Sequence, residues 1–240
     1  MTLEFLGVGS AFAKVNYQNN LLINGNILID CGGSAGRSLS DTGRSFENID
    51  HIFITHTHAD HIGGMEECAF LNKFFYGGRK AKLHLPPELM APLWEHSLRG
   101  GLEDVETGSM QLEDYFEVVE ADRHFEIEGV RFEIVPTFHV PDKFCCGLKI
   151  NDRIYFSGDT RFTPEMVERY GSDAEIIYHD CQFFTGGIHT SLDELATLPE
   201  NLRHKTWLMH YGDTYAEHKE KARQAGFRWA KQHTVYTFKE

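Results

Sequence analysis

Short apolar runs alternate with turn residues along the whole chain, a pattern typical of a protein rich in strands. The first runs predict strands at Thr2–Leu6, Leu21–Ile23, Asn26–Asp30 and Ile52–Thr55. The pair Asn24-Gly25 lies between two of them and predicts a tight hairpin, because both central positions of such a turn need positive φ. Apolar residues at helical spacing then predict a helix from about Gly64 to Phe75.

The second half of the chain repeats this alternation. Its apolar runs predict strands at Phe116–Val119, His124–Ile127, Val130–Val135, Cys146–Ile150, Ile154–Phe156, Ile176–Tyr178, Thr206–Met209 and Val235–Phe238. Helices are predicted after Thr163, around Tyr215–Ala225, and after Ser191, where Glu194 completes a capping box. Two strand-rich halves that are each followed by helices indicate an α/β fold built around sheets.

Residues 86–114 interrupt the pattern. A helical stretch around Leu89–Leu98 leads to the acidic segment Glu103–Asp114, which has few large apolar residues. This stretch is a candidate lid or partner-binding arm, with a plain surface loop as the alternative. The chain shows no repeat and no linker, so we expect one domain over residues 1–240.

Composition and charge narrow the class of protein. No apolar run is long enough for a membrane helix and no signal-peptide pattern is visible, so we expect a cytoplasmic protein without a membrane partner. The formal charge of −13 weighs against a large nucleic acid as substrate but not against a small phosphate ester. The five cysteines fit no paired spacing, and we expect reduced thiols in the core.

One segment carries a dense set of metal-ligand residues. The predicted strand at Ile52–Thr55 is followed at once by His56, His58, Asp60 and His61. Imidazole and carboxylate groups at this spacing suit zinc and related divalent ions. The pattern therefore predicts a metal site, with a polar loop of incidental histidines as the alternative.

Further ligands are needed to close such a site, and three later residues have the right placement. His139, Asp159 and His210 each follow the end of an apolar strand, as His56 does. Rigid strands position ligands well, so these residues are the best candidates.

In order and spacing, these motifs resemble the metallo-β-lactamase superfamily across essentially the whole chain. The matching features are Asp30-Cys31-Gly32 after an early strand pair, the HxHxDH segment, a lone His, Ser-Gly-Asp-Thr and a late His. The resemblance implies an αββα sandwich of two mixed β-sheets flanked by helices. It also implies two zinc ions, with manganese as an alternative. The ligands of one ion would be His56, His58 and His139, and those of the other would be Asp60, His61 and His210. Asp159 would bridge the two ions. Asp30 would support the metal loop.

Two ions in such a site can share a bridging hydroxide, which attacks phosphorus while Asp60 orients it or takes its proton. Within the superfamily, the chain is most similar to the ribonuclease Z-like phosphodiesterases, in which a His-acidic pair precedes a His-Ser/Thr at a helix start. Here these positions are His179-Asp180 and His189-Thr190, although the branch usually has Glu-Ala after the first His. The resemblance implies that His189 is the general acid and that His179 is a further catalytic candidate. A solvated loop position is the alternative for His189.

Ribonuclease Z enzymes carry a long tRNA-binding arm after the position that matches His139. Here the predicted strand Cys146–Ile150 follows His139 too closely for such an arm. The chain therefore most resembles the phage-type anti-Pycsar phosphodiesterases, which implies hydrolysis of 3′,5′-cyclic nucleotides, the degradation of an immune signal and a homodimer. A loop from the partner, from 103–114 or 76–79, would complete the pocket. The alternatives are tRNA 3′-end processing, a lactonase-type hydrolysis and a catalytically silent metal scaffold. Some aromatic residues are candidates for stacking on a base, although core or rim positions are favoured for each: Phe144, Phe183, Phe184 and Tyr211.

Overall fold

The computed structural model describes residues 1–239, which form two compact units. The first unit contains Met1–Gly7, Tyr17–Asp122 and the chain from Gln232 onward. The second contains Val8–Asn16 and Arg123–Lys231. Each unit holds one seven-stranded mixed sheet.

Elements are numbered in chain order, and those of the first unit include nine strands. They are β1 (Thr2–Gly7), β2 (Asn20–Ile23), β3 (Ile27–Ile29), β4 (His51–Phe53), β5 (Lys82–Leu85), β6 (Asp104–Val105), β7 (Gly108–Ser109), β8 (Glu117–Glu120) and β16 (Val235–Thr237). The helices are α1 (Ala35–Asp41), α2 (Ala59–Ile62), α3 (Met65–Phe70), α4 (Pro87–Leu93), α5 (Arg99–Leu102) and α6 (Leu112–Tyr115).

The sheet of the first unit has the order β16-β1-β2-β3-β4-β5-β8. Strands β16 to β3 pair antiparallel, and β3, β4, β5 and β8 pair parallel. Every residue of β2, β3 and β4 is buried, as expected for central strands with both faces covered. The predicted hairpin at Asn24-Gly25 is confirmed, because the two residues have φ of 51° and 83°.

Some predicted elements of this unit differ from the structure. The predicted helix at 64–75 is α-helical only over Met65–Phe70 and continues as a π-helical turn over Leu71–Phe75. The acidic segment at 103–114 forms the β6–β7 hairpin and helix α6. Its short strands carry little apolar periodicity, so the pattern did not reveal them. Its role as a lid or arm stays a prediction.

The second unit has its own set of strands and helices. The strands are β9 (His124–Ile127), β10 (Val130–Pro136), β11 (Cys146–Ile150), β12 (Ile154–Phe156), β13 (Ile176–Asp180), β14 (Thr206–Met209) and β15 (Arg228–Trp229). The helices are α7 (Pro164–Gly171), α8 (Leu192–Leu195), α9 (Glu200–Arg203) and α10 (Tyr215–Gln224). The predicted capping box is present, since Ser191 Oγ accepts from the N–H of Glu194 at 3.2 Å and the Glu194 carboxylate accepts from the N–H of Ser191 at 2.8 Å.

The second sheet repeats the plan of the first, with the order β15-β14-β13-β12-β11-β10-β9. Strands β9 to β12 pair antiparallel, and β12 to β15 pair parallel. One apolar cluster packs helices α7 to α10 onto this sheet, with Tyr155, Val167, Ile177, Leu195, Leu202, Leu208 and Phe227 among its members. The parallel strands end at one edge, which is where loops in such sheets carry functional groups.

Two whole-chain expectations can be compared with the structure. Within residues 1–239, no helix combines the length and the apolar character needed to cross a membrane. All five cysteines are buried free thiols, as the sequence predicted: Cys31, Cys68, Cys145, Cys146 and Cys181.

A buried histidine pair lies at the strands β4 and β5 of the first unit. His51 Nδ1 and His84 Nε2 are 3.0 Å apart, and their rings stack at 5.2 Å. Burial, followed by the nearby charges of His51 and Lys82, lowers the pKa of His84 to about 4. The folded chain therefore resists protonation of His84 more strongly than the unfolded chain does.

We expect the free energy of unfolding to depend on pH through His84. The neutral form is favoured in the fold, so its contribution is complete above the ordinary pKa of 6.5 and is lost as the pH falls toward about 4. His84→Gln stays neutral and should flatten this part of the profile. Urea unfolding at a series of pH values measures the effect. The exposed His96→Gln is the control, and equal slopes for His84→Gln and the wild type would contradict the assignment.

Candidate functional site

The first unit gathers four predicted ligands just beyond the end of β4. His56 Nε2 and His58 Nδ1 lie 3.0 Å apart, and His61 Nε2 lies 3.3 Å from Asp60 Oδ2. The rings of His56 and His61 are 4.0 Å apart. The loop therefore presents two converging pairs of donor atoms. His56, Asp60 and His61 are buried, so these atoms are largely shielded from solvent.

Asp30 holds this loop in place. Its carboxylate accepts from Thr55 N at 2.8 Å, from Thr55 Oγ1 at 2.8 Å and from His61 Nδ1 at 2.7 Å. Burial outweighs these bonds and raises the pKa of Asp30. Because Nδ1 of His61 donates to Asp30, Nε2 is the ring nitrogen left to bind an ion, which is the arrangement typical of metal-ligating histidines.

The glycine of Asp30-Cys31-Gly32 is required by a close approach of two backbones. A Cβ on Gly32 would lie 1.9 Å from the carbonyl oxygen of Asp60. Cys31 N donates to the carbonyl of His61 at 2.7 Å and ties the same turn to the ligand loop. The early Asp-x-Gly thus supports the ligand loop, as the family resemblance implied for Asp30.

The second unit gathers three predicted ligands around one carboxylate. Asp159 Oδ2 lies 3.4 Å from His210 Nε2 and 3.7 Å from His139 Nε2. His139 follows β10, Asp159 follows β12 and His210 follows β14, so three strand ends supply them. An oxygen between two imidazole nitrogens is the arrangement expected of a bridging carboxylate.

The backbone around these ligands is specialised. Gly158 has φ of 59°, and a Cβ there would lie 2.4 Å from the carbonyl oxygen of Cys146. His210 also has positive φ, 54°, which is unfavourable for a residue with a side chain. The hydrogen bond from Tyr211 N to Val8 O at 3.1 Å fixes the chain just after it. Such local strain is common where a side chain must be aimed.

A backbone carbonyl sets the tautomer of His139. The Nδ1–H of His139 donates to the carbonyl of Ile188 at 2.7 Å, which leaves Nε2 facing Asp159. Burial lowers the pKa of His139, and the neutral ring is the form that binds a metal.

Asp180 lies between the two other predicted catalytic histidines. Its Oδ2 accepts from His189 Nδ1 at 3.0 Å, and its Oδ1 lies 3.1 Å from His179 Nδ1. Burial alone would raise the pKa of Asp180, but the hydrogen bonds from His179 and His189 outweigh it and hold the pKa below its ordinary value. An anionic Asp180 therefore fixes the ring of His189, and donor atoms of Asp159, Asp180 and His189 all lie within 4.8 Å of one another.

His179 and His189 have different surroundings. His179 is 1% exposed within β13, and its Nδ1 also donates to the carbonyl of Asp180 at 2.9 Å. The side chain of His189 is 21% exposed and follows the loop at 182–188. His189 is therefore the more solvent-accessible of the two histidines, whereas His179 is enclosed by the fold.

The donor sets in both units fit a divalent ion. In a tetrahedral site with bonds of about 2.0–2.1 Å, neighbouring donor atoms lie about 3.3 Å apart. The pairs His56–His58 and His61–Asp60 have separations of 3.0 and 3.3 Å, and the pairs around Asp159 have 3.4 and 3.7 Å. Outer hydrogen bonds fix His61 and His139, as metal-ligating histidines require.

Several contacts at the site could not be predicted from short stretches of the sequence. The roles of Thr55, of the Ile188 carbonyl and of Asp180 as a link between two histidines depend on contacts between distant segments. For Asp180, the adjacent His179 was the only hint. Of the aromatic candidates, Tyr211 is buried and donates to Ala230 O, while Phe184 is 67% exposed.

Comparison with known sequences gives a consistent family. A family profile described as "Anti-Pycsar protein Apyc1" matches residues 1–236. The chain is 44% identical over 228 residues to the anti-Pycsar protein Apyc1 of Bacillus phage BSP38, covering 88% of this chain and 89% of the relative. It is 42% identical over 249 residues to the protein of the same name from Paenibacillus xerothermodurans, covering 100% and 98%.

Comparison with solved structures confirms the fold predicted from the sequence. A diphosphatase of the PhnP family has a TM-score of 0.78 at 20% identity, covering 99% of this chain and 98% of that one. The metallo-β-lactamase fold protein YhfI from Bacillus subtilis has a TM-score of 0.72 at 14% identity, covering 98% of each. The two mixed sheets with their helices thus form a metallo-β-lactamase fold.

The sequence match over nearly the full length identifies the family, and the fold agrees with it. The protein is a metal-dependent hydrolase, and the chain belongs to the anti-Pycsar protein Apyc1 family.

Proposed function

We propose that the protein is a dinuclear zinc phosphodiesterase that hydrolyses 3′,5′-cyclic nucleotides to nucleoside monophosphates. The observation that carries the proposal is the placement of His189, which is held by a buried Asp180 within 4.8 Å of the predicted ligand Asp159. A fixed imidazole beside a metal ligand is suited to protonate an oxygen that leaves phosphorus.

We assign two metal ions to seven residues, as the family resemblance implies. His56, His58 and His139 would hold one, Asp60, His61 and His210 the other, and Asp159 both. Zinc suits this imidazole and carboxylate set, and manganese is the alternative. When bound, the ions lower the pKa of water and stabilise the charge on the transferring phosphoryl group.

The remaining roles belong to the chain's own side chains. Asp60, beside His61, would orient the attacking water and take its proton. His189 would donate a proton to the leaving O3′, with Asp180 stabilising the cationic ring. His179 would act as a positioning residue, because it touches Asp180 and is almost fully buried.

A small cyclic nucleotide is favoured over a large nucleic acid. The relatives are named anti-Pycsar proteins, which indicates degradation of a cyclic-nucleotide immune signal. The charge of −13 opposes binding of a polyanion such as precursor tRNA. A lactonase-type reaction gives no clear role to a general acid such as His189. A cytoplasmic homodimer, with residues 86–114 as a lid or dimer segment, is part of the proposal.

We expect chelator-sensitive hydrolysis of cAMP, cGMP, cCMP and cUMP, and of bis-p-nitrophenyl phosphate. Ions that activate water are required for each, so removing them should abolish turnover and adding zinc or manganese should restore it. Product analysis by chromatography measures the reaction. Cleavage of precursor tRNA alone would contradict the proposal and favour tRNA processing.

Removing the charge of Asp30 should weaken metal binding. Asp30→Asn is compatible with the φ of 63° at this position but supplies a weaker acceptor for His61 Nδ1. We expect a loss of metal affinity of about 10- to 100-fold, measured by competition with a chromogenic chelator. The exposed Asp104→Asn is the matched control. Unchanged affinity in folded Asp30→Asn would overturn this role.

Removing His189 should lower kcat most for substrates with a basic leaving group. For His189→Ala we expect kcat with cAMP to fall by about 10²–10⁴-fold, because an alkoxide must be protonated as it leaves. With bis-p-nitrophenyl phosphate the loss should be far smaller, because p-nitrophenolate leaves without a proton. His204→Ala, with a side chain 59% exposed, is the control. Equal losses on both substrates would indicate a structural role for His189.

A further inference from the structure

The loop at 182–188 supplies the carbonyl that orients a predicted metal ligand. The Ile188 carbonyl accepts from His139 Nδ1 at 2.7 Å. Two glycines precede it, Gly186 and Gly187, with φ of 91° and 92°, and a Cβ on Gly186 would meet nothing within 4 Å. A backbone with two such glycines can adopt many conformations, so contacts elsewhere must fix its path.

A flat stack of two rings joins this loop to helix α10. The ring centroids of Phe183 and His218 lie 4.2 Å apart, and the angle between the two ring planes is 7°. The Phe183 ring also lies 6.2 Å from the ring of Trp229 in β15. Aromatic pairs attract each other beyond the burial of apolar area, and one such pair favours the closed position of the loop by about two- to tenfold.

Helix α10 is itself firmly packed on either side of His218. Ala222 lies one turn further on the same face and is fully buried in the apolar cluster of the second unit. Tyr215 lies three residues before His218, and its ring is 4.8 Å from that of Tyr211 and 5.7 Å from that of Trp229. The helix therefore presents the His218 ring as a fixed surface for the loop.

Hydrogen bonds within the loop have a different effect from the stack. Gln182 Nε2 donates to the carbonyl of Phe184 at 2.8 Å and also to that of Gly186. Gln182 N donates to Thr190 O at 2.8 Å and closes the base of the loop. These bonds join residues of one short segment, so they set the shape of the loop. The stack on His218 sets the position of the loop relative to α10.

We propose that His218 is a positioning residue for the metal ligand His139. The His218 ring holds Phe183, and Phe183 holds the loop that places the Ile188 carbonyl against His139 Nδ1. The inference rests on the proposed function, because it takes His139 to bind an ion through Nε2. His218 lies outside the predicted ligand set, so its role is to orient a ligand rather than to bind the ion itself.

The first test follows the proton on His139 Nδ1, which the Ile188 carbonyl protects from solvent. Its exchange with water is measured by NMR on the full chain with labelled histidine, both loaded with zinc and after chelation. The signal is assigned by its loss in His139→Gln. For His218→Ala we expect exchange about two- to tenfold faster than in the wild type, because the loop opens more often.

A ring at position 218 should be sufficient for this protection. His218→Phe keeps a flat ring on α10 and should restore the wild-type exchange rate. His218→Leu keeps the volume without the ring, and it gives the same comparison if His218→Ala does not fold. Glu217→Ala, an exposed neighbour on the same helix, is the control. Restoration by His218→Phe but not by His218→Leu distinguishes stacking from a general effect on stability.

Zinc binding separates this inference from the proposed function. In competition with a chromogenic chelator, His218→Ala should weaken one of the two zinc-binding steps by about tenfold and leave the other unchanged. Wild-type protein that shows the difference in proton exchange but binds no zinc would contradict the proposed metal centre alone. The positioning role would be overturned by an unprotected His139 proton in the wild type, by equal exchange in the wild type and His218→Ala, or by full protection in His218→Leu.

Discussion

The buried carboxylate of Asp30 is the contact on which the first group of ligands depends. It accepts three hydrogen bonds, two from Thr55 and one from His61, and so joins the end of β3 to the loop after β4. Losing it would leave buried donors without an acceptor, at a cost of about 1–3 kcal/mol for each. Because His61 donates through Nδ1, the same carboxylate also selects the nitrogen that can bind an ion. One side chain thus fixes both the path of the loop and the chemistry of its ligand.

In the second unit, a loop rather than a single carboxylate orients a predicted ligand. Residues 182–190 form a closed turn, in which Gln182 N donates to Thr190 O at 2.8 Å. This turn supplies the Ile188 carbonyl that orients His139, and it also carries the side chain of His189. The orientation of His139 and the position of His189 therefore both depend on one short segment.

Family, fold and site geometry contribute different parts of the functional argument. The metallo-β-lactamase fold supports many hydrolytic reactions, so the fold alone does not select the substrate. Family membership narrows the field, and the histidine held by Asp180 gives a physical reason for phosphodiester chemistry.

Local sequence signals determined much of this protein. The Asn24-Gly25 hairpin, the capping box at Ser191 and the HxHxDH segment after a strand all act over a few residues, so the sequence alone identified them. The π-helical turn at 71–75 escaped prediction, because its apolar spacing matches that of an ordinary helix. Only the tertiary structure decided that Ile188 faces His139, 49 residues away, and that Asp180 links two histidines. Those contacts depend on strand order and loop path, which no short stretch of sequence encodes.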